Sequence, residues 1–425
     1  MGSLLIKGAL VAERGVNCDI LIKNGLIERV SESIEEEAEK VINAEGKIAL
    51  PSFANMHTHV SMSLMRGLGS DLPLMDWLSK VIWPVEKELV SPEFVKAGAY
   101  LGVLEMIRSG TTLFLDMYFF EEEVGQVVEE AGIRAGLGFG ILDFPTRVAS
   151  TPDEYIKRAG TFANSLKGHE RIFPVISPHA VYTCSPPTLL KALDLALEND
   201  LYVHIHLSET KDEVERAREE YGNTPVLHLE ELGFLSERVI CAHMVWVGEE
   251  EMEIVRERGV KVAHCPESNL KLGSGIAPVP QYLEKGVHLC LGTDGPASND
   301  NLDMLEEMST MAKVHKGFNN DPSAMTSRKA LEIATRNGFS AVGIKAGSIE
   351  EGYEADLVLI KADSPHLLPL YDPVSQIVYS ARSSDIDTVI CRGEVIMEKG
   401  EVKTLDEEKI RSEARAWAKK VRRLL

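Results

Sequence analysis

His57 and His59 stand two residues apart at the end of an apolar stretch, Pro51-Ser52-Phe53-Ala54-Asn55-Met56, so on a strand they share one face. Two imidazoles placed this way can grip one metal ion. An isolated His-x-His is as readily a solvated strand end or a satisfied core pair, so the other polar residues of the chain decide. Asp116, His179, His206, His243, His264 and Asp294 each stand where a later apolar run stops, after 111–115, 172–176, 201–203, 239–242, 260–263 and 287–293.

With residues 51–58 and 133–140 these make eight short apolar runs, and stretches such as 86–108 and 188–198 between them have helical periodicity. Strand and helix alternating eight times define an α/β fold, a (β/α)8 TIM barrel. Its active site lies at the carboxyl ends of the strands, where these polar residues fall. Outside the barrel, 3–12, 19–30, 41–50, 355–361 and 388–397 resemble short strands with Gly or Asn turns. The expected organisation is therefore a small β-sandwich domain from 1–50 and 347–402, a barrel over 51–346, and a C-terminal segment 403–425. In that last segment 405–425 forms an amphipathic helix, acidic at its start and basic at its end.

The net charge of −21 disfavours nucleic-acid backbones and anionic membranes as partners. Runs such as Glu35-Glu36-Glu37 and Glu121-Glu122-Glu123 read as solvated surface. The six cysteines contain no C-x-x-C pair, so buried thiols are expected rather than disulfides or a zinc ribbon. No run is long enough to span a bilayer and the first residues lack a signal-peptide charge pattern, so the expected location is the cytoplasm. No fixed-period repeat or low-complexity linker marks a second independent domain.

Five motifs in order carry a family resemblance: His57-Thr58-His59, 204–209 (HIHLSE), Ala242-His243, 269–275 (NLKLGSG) and 292–295 (GTDG). The chain resembles the amidohydrolase superfamily and, within it, the 5'-methylthioadenosine/S-adenosylhomocysteine deaminases. The resemblance runs from the first short strands through 352–358 (GYEADLV), where such enzymes return to the small domain.

The resemblance implies one divalent metal per subunit held by His57, His59, His206 and Asp294, with zinc first and Fe2+, Mn2+ or Ni2+ also compatible with three imidazoles and a carboxylate. His204 shares the strand face of His206 and competes for that role; His206 is preferred because it lies nearer the strand end, three residues before Glu209. Strand four ends in His179, where binuclear branches of the superfamily commonly have a carbamylated lysine, which points to one metal. Glu209 would donate a proton to a ring nitrogen of the substrate, Asp294 would carry the water proton to departing ammonia, and His243 would orient the nucleophile and stabilise the tetrahedral intermediate. By the same resemblance Glu86 binds ribose, His179 faces the purine or ribose, Trp77 covers the 5' group and Ser298 meets the purine. Asp116 and His264 match no carried-over role and read as structural hydrogen bonders, while 269–275 belongs to the active-site rim.

One departure bears on substrate. The best-matched relatives place arginines after strand three and in the next helix to meet a charged homocysteine tail; here 137–140 has none and Arg147 is out of register. The resulting expectation is a zinc-dependent aminohydrolase of methylthioadenosine, 5'-deoxyadenosine or adenosine, ahead of S-adenosylhomocysteine, yielding the inosine analogue and ammonia. The alternatives are a free-base deaminase of the guanine or cytosine type, a triazine chlorohydrolase-like enzyme, and more remotely a non-catalytic scaffold. The expected partner is a small nucleoside. Self-association is compatible with the relatives, which are often homo-oligomers.

Overall fold

The computed structural model describes residues 2–424; Met1 and Leu425, the outer ends of two expected segments, lie outside the described residues. The chain begins with β1 (Ser3–Val11), β2 (Val16–Lys23), β3 (Leu26–Ser31), β4 (Lys40–Asn43) and β5 (Lys47–Pro51). The expected strand over 19–30 is a hairpin. Asn24 and Gly25 turn it with φ of 49° and 80°, the two positive angles that a tight hairpin turn requires. The run over 41–50 likewise splits into β4 and β5, with a turn at Gly46 between them.

The barrel strands follow: β6 (Phe53–Thr58), β7 (Thr111–Tyr118), β8 (Arg134–Ile141), β9 (Ile172–Pro178), β10 (Tyr202–Leu207), β11 (Val239–His243), β12 (Lys261–His264) and β13 (His288–Leu291). They pair in parallel in sequence order from β6 to β13. β13 returns beside β6, where the Asp294 amide donates to the His57 carbonyl at 2.9 Å. Every residue of β7 and β8 is buried, as strands covered on both faces must be, which is why their middles, 113–115 and 135–141, have no charged residue.

The helical run expected over 86–108 is two helices, Trp83–Leu89 and Pro92–Arg108. Pro92 disfavours helical geometry at the preceding residue. Ser91 is accordingly extended, with φ −151° and ψ 166°, and its side chain caps the second helix by accepting from the Phe94 amide.

The chain returns through β14 (Leu357–Lys361), β15 (Ile386–Cys391), β16 (Glu394–Glu398) and β17 (Glu401–Val402). Both ends of the chain join one nine-stranded mixed sheet, ordered β17-β16-β15-β14-β5-β1-β2-β3 with β4 on β1, enclosing an apolar core that includes Ile6, Ile20, Ile22, Leu357 and Leu359. Between β14 and β15 the chain leaves this sheet, and helix Pro373–Ser380 packs on the barrel helices Met304–Asn319 and Ser327–Ala334. Arg134 of the barrel pairs with Asp356 at 2.8 Å and with Glu354, tying the sheet to the barrel through an ion pair whose Asp356 side chain is fully buried. The last helix, Glu407–Val421, has Glu407 and Glu408 in its first turn, Lys419 and Lys420 in its last, and Trp417 edge-on to Phe94. All six cysteines are free and buried. Among the described residues no helix is long and apolar enough to cross a membrane.

Candidate metal centre and active site

β6 delivers His57 and His59, β10 delivers His206, and the turn after β13 delivers Asp294. Asp294 sits at φ 62°, a left-handed angle that aspartate tolerates better than most residues. Two residues earlier the strands approach so closely that a Cβ on Gly292 would lie 2.7 Å from the His57 nitrogen, so only glycine lets β13 meet β6 there.

One donor atom from each of His57, His59, His206 and Asp294 falls within 4.8 Å of all the others. Asp294 Oδ1 is 3.3 Å from Nε2 of both His57 and His59, and the Nε2 atoms of His59 and His206 are 3.2 Å apart. The other ring nitrogens are occupied. His59 Nδ1 donates to the Met117 carbonyl at 2.5 Å, His206 Nδ1 donates to the His179 carbonyl at 2.7 Å, and His57 Nδ1 shares a hydrogen bond of 2.9 Å with His204 Nε2. Such outer contacts fix the tautomer and aim each Nε2 inward. His57 Nε2 is buried without a hydrogen-bond partner, and the four donors are three nitrogens and one oxygen. The set therefore fits a borderline divalent ion. His204 lies behind His57 and outside the group.

Burial pushes His57 down to about 4 and, with the neighbouring imidazoles, holds His206 well below its usual range. Burial also opposes charge on Asp294, yet the His57 and His59 imidazoles 3.3 Å from its Oδ1 hold its carboxyl well below the ordinary value. For His59 burial acts downward, but the Asp294 carboxylate lifts it to about 9.

Asp294 Oδ2 accepts from Ser268 Oγ at 2.6 Å and Ser298 Oγ at 2.7 Å, which fixes the carboxylate plane. Across the site, Glu209 Oε2 lies 3.8 Å from His243 Nε2, and Glu209 Oε1 accepts from Ser274. His243 Nδ1 donates to Asn269 Oδ1 at 2.9 Å, leaving Nε2 toward Glu209 and the cavity. Burial raises the Glu209 carboxyl.

These groups open into one cavity whose lining includes His59, Trp77, Glu86, His179, His206, Glu209, His243, Asp294 and Ser298. Every candidate site residue from the sequence lines this cavity except His57, which is fully buried beneath it. Glu86 accepts from the Tyr118 hydroxyl at 2.7 Å, and burial pushes its carboxyl up to about 7. The Trp77 indole N–H is committed to the Leu68 carbonyl, so the ring meets the cavity as an apolar face. Arg147 donates to the carbonyls of Lys87 and Glu88 at 2.6 and 3.0 Å, so it caps the end of helix Trp83–Leu89. His264 pairs with His315 at 3.1 Å in the protein interior.

Three supporting residues escaped the sequence reading: Glu213, Ser268 and Tyr118. Asn269 was placed there only in the rim segment 269–275, which Ser268 immediately precedes. One charge assignment is corrected. Glu121, expected on a solvated acidic face, is fully buried at the end of β7, where it receives the Tyr118 amide at 2.8 Å. It opens the helix Glu121–Ala131 from the core side, a position that a run of three glutamates does not disclose.

Residues 48–396 match the amidohydrolase family model, and the chain belongs to this family of metal-dependent hydrolases. Within it the chain groups with 5'-methylthioadenosine/S-adenosylhomocysteine deaminases. It is 63% identical to the 5-methylthioadenosine/S-adenosylhomocysteine deaminase of Aquifex aeolicus, over 98% of this chain and 97% of that one. It is 43% identical to the 5'-deoxyadenosine deaminase of Methanocaldococcus jannaschii, over 97% of this chain and 98% of that one. A crystal structure of an adenosine deaminase from Xanthomonas campestris with bound zinc superposes with a TM-score of 0.95 at 36% identity, covering 99% of this chain and 98% of the other.

Proposed function

We propose that the protein hydrolytically deaminates 5'-modified adenosines to the inosine analogue and ammonia, using one divalent metal, zinc first, held by His57, His59, His206 and Asp294. The observation that carries this reading is the convergence of that inward-facing donor set with Glu209, His243 and the buried Glu86 on one cavity. A metal in that set supplies a Lewis acid that brings the pKa of water from about 15.7 to about 7.

The remaining chemistry falls to the side chains. Glu209, whose carboxyl burial raises, is placed to pass a proton to the adenine ring nitrogen, which makes the amine-bearing carbon electrophilic. Asp294, oriented by Ser268 and Ser298, takes the proton of the attacking water and returns it to the departing amine. His243, oriented by Asn269, stabilises the oxygen developing on the tetrahedral carbon. His179 and Ser298 face the purine, and Glu86 accepts from the ribose 2' and 3' hydroxyls.

Beyond Glu86 the cavity wall of Trp83, Phe119, Leu142 and Phe144 is shared with an adjoining cavity whose lining includes Lys87 and Arg147. The shared wall is apolar and Arg147 is already spent on two carbonyls. Methylthioadenosine, 5'-deoxyadenosine and adenosine therefore rank above S-adenosylhomocysteine as substrates. Free bases and triazines lack the hydroxyls that Glu86 requires, and a buried acid left unpaired penalises them.

The test is loss of adenine absorbance with release of ammonia by zinc-loaded protein on methylthioadenosine, 5'-deoxyadenosine, adenosine, S-adenosylhomocysteine, free adenine, guanine and cytosine, and a chlorotriazine. Turnover of the nucleosides with the bases ignored supports the proposal. Inert nucleosides beside an active base or triazine would overturn it.

A further inference from the structure

Asp116 and Glu121 are fully buried carboxyl groups that the reaction does not use. Each has one oxygen on a backbone amide: Asp116 Oδ1 accepts from Val60 at 2.7 Å, and Glu121 Oε1 accepts from Tyr118 at 2.8 Å. The second oxygens, Asp116 Oδ2 and Glu121 Oε2, are buried and find no other polar partner. The two groups lie within hydrogen-bonding reach of one another. Two buried carboxylates in that position would repel, whereas one proton between them makes a charge-assisted hydrogen bond and satisfies both orphan oxygens. Burial raises both carboxyls, and the Asp116 charge raises Glu121 further, which favours one proton held between the two orphan oxygens.

The two anchored amides bracket a short piece of backbone with two duties. Val60 follows His59 directly. The Met117 carbonyl, between the two acids, fixes the His59 ring, and the next residue, Tyr118, gives its hydroxyl to Glu86. We infer that Asp116 and Glu121 form a one-proton carboxyl pair that positions the end of β7 and so holds His59 and Glu86 in place together; this rests on the metal and ribose roles proposed above for those two residues. Both acids are positioning residues, since neither lines the cavity.

A single proton makes a specific forecast for amide substitutions. In Asp116→Asn the amide N–H donates to an ionised Glu121, and in Glu121→Gln it donates to an ionised Asp116. Either single variant keeps three acceptor oxygens and one negative charge and offers the facing carboxylate an N–H donor, with one extra N–H on the amide. In the double variant each amide oxygen is held by its backbone N–H, so two NH2 groups face each other or a backbone amide loses its acceptor.

The experiment compares the four metal-loaded proteins for zinc retained against a competing chelator, for KM and kcat on the nucleosides, and for the carboxylic-acid C=O band in infrared difference spectra at neutral pH. The expected result is single variants within about twofold of the parent in zinc affinity and KM. The double variant is expected to lose at least about tenfold in zinc affinity, with KM raised as well. The infrared band of one buried acid should disappear in each single variant, because each leaves only an ionised carboxylate. A double variant equal to the product of its singles, a single variant as damaged as the double, or an acid band that persists in Asp116→Asn would overturn the pair. If the double variant does not fold, the infrared spectra of the singles decide alone. Inert nucleosides beside a confirmed acid band and non-additive zinc retention would leave the pair standing and remove the proposed reaction instead.

Discussion

Glu213 holds the backbone of Glu209: its two carboxylate oxygens accept from the amides of Ser208 at 2.9 Å and Glu209 at 2.8 Å. Ser208 is thereby kept at a left-handed φ of 52°, which turns the chain at the end of β10 so that Glu209 enters the cavity. Glutamine has one acceptor oxygen where this site needs two. Glu213→Gln should leave one buried amide unpaired at a cost of about 1–3 kcal/mol and lower kcat by about fivefold to a hundredfold, with zinc content unchanged. Steady-state kinetics beside metal analysis check this, and unchanged kcat would show that Glu209 does not depend on Glu213.

Glu209→Gln removes the proton donor while keeping the shape of the side chain. Zinc content should match the parent and turnover should fall by at least about a hundredfold. Near-normal turnover would remove Glu209 from the mechanism.

Glu86 gives the pH dependence. Its carboxyl is pushed up to about 7 by burial, so below that pH the free enzyme carries a neutral acid that has lost acceptor capacity for the ribose hydroxyls. kcat/KM on adenosine should therefore fall as pH drops through about 7, because this parameter reports the free enzyme. Glu86→Gln should be low at every pH by at least about tenfold and should lack this limb of the profile. The same limb surviving in Glu86→Gln would assign the titration to another group.

Removal of the metal should abolish turnover, and added zinc should restore it. In the metal-free protein His59 is lifted to about 9, so at neutral pH it carries a proton that metal uptake must expel. Metal affinity should accordingly weaken as pH falls. Titration calorimetry in two buffers of different ionisation enthalpy measures the released proton directly, and equal heats in both buffers would contradict the prediction.

The barrel and the nine-stranded sheet are tied by Arg134 and the fully buried Asp356. Arg134→Met leaves that carboxylate without its counter-charge, held only by Thr112 and the Arg392 amide, which should cost about 3–5 kcal/mol of stability. A lowered Tm with kcat and KM of the surviving native protein unchanged is the expected result; an unaltered Tm would show that solvent reaches Asp356.

Much of this molecule is legible in its residues because the signals are local. Alternating apolar runs and helical stretches need only near neighbours to be recognised, and a polar side chain placed just past an apolar run marks a barrel strand's carboxyl end whatever the rest of the chain does. The break at Val90 was legible too, since Pro92 stands in the sequence, but helical periodicity on both sides masked it. Arg147 and Glu121 were not legible. Whether an arginine meets a ligand or two carbonyls, and whether the first of three glutamates faces water or a buried aspartate, depends on what the fold brings beside it.

From the sequence alone come the eight-fold alternation, the return of both chain ends to one small β-domain, and the donor types at the strand ends. The tertiary structure alone decided that His204 stands behind His57, that Asn269 turns His243, that Glu213 holds Glu209, and that Asp116 meets Glu121. The physical reason is range: periodicity is set over a few residues, whereas a hydrogen-bond partner is set by which strand ends the closed barrel brings within about 3 Å of one another.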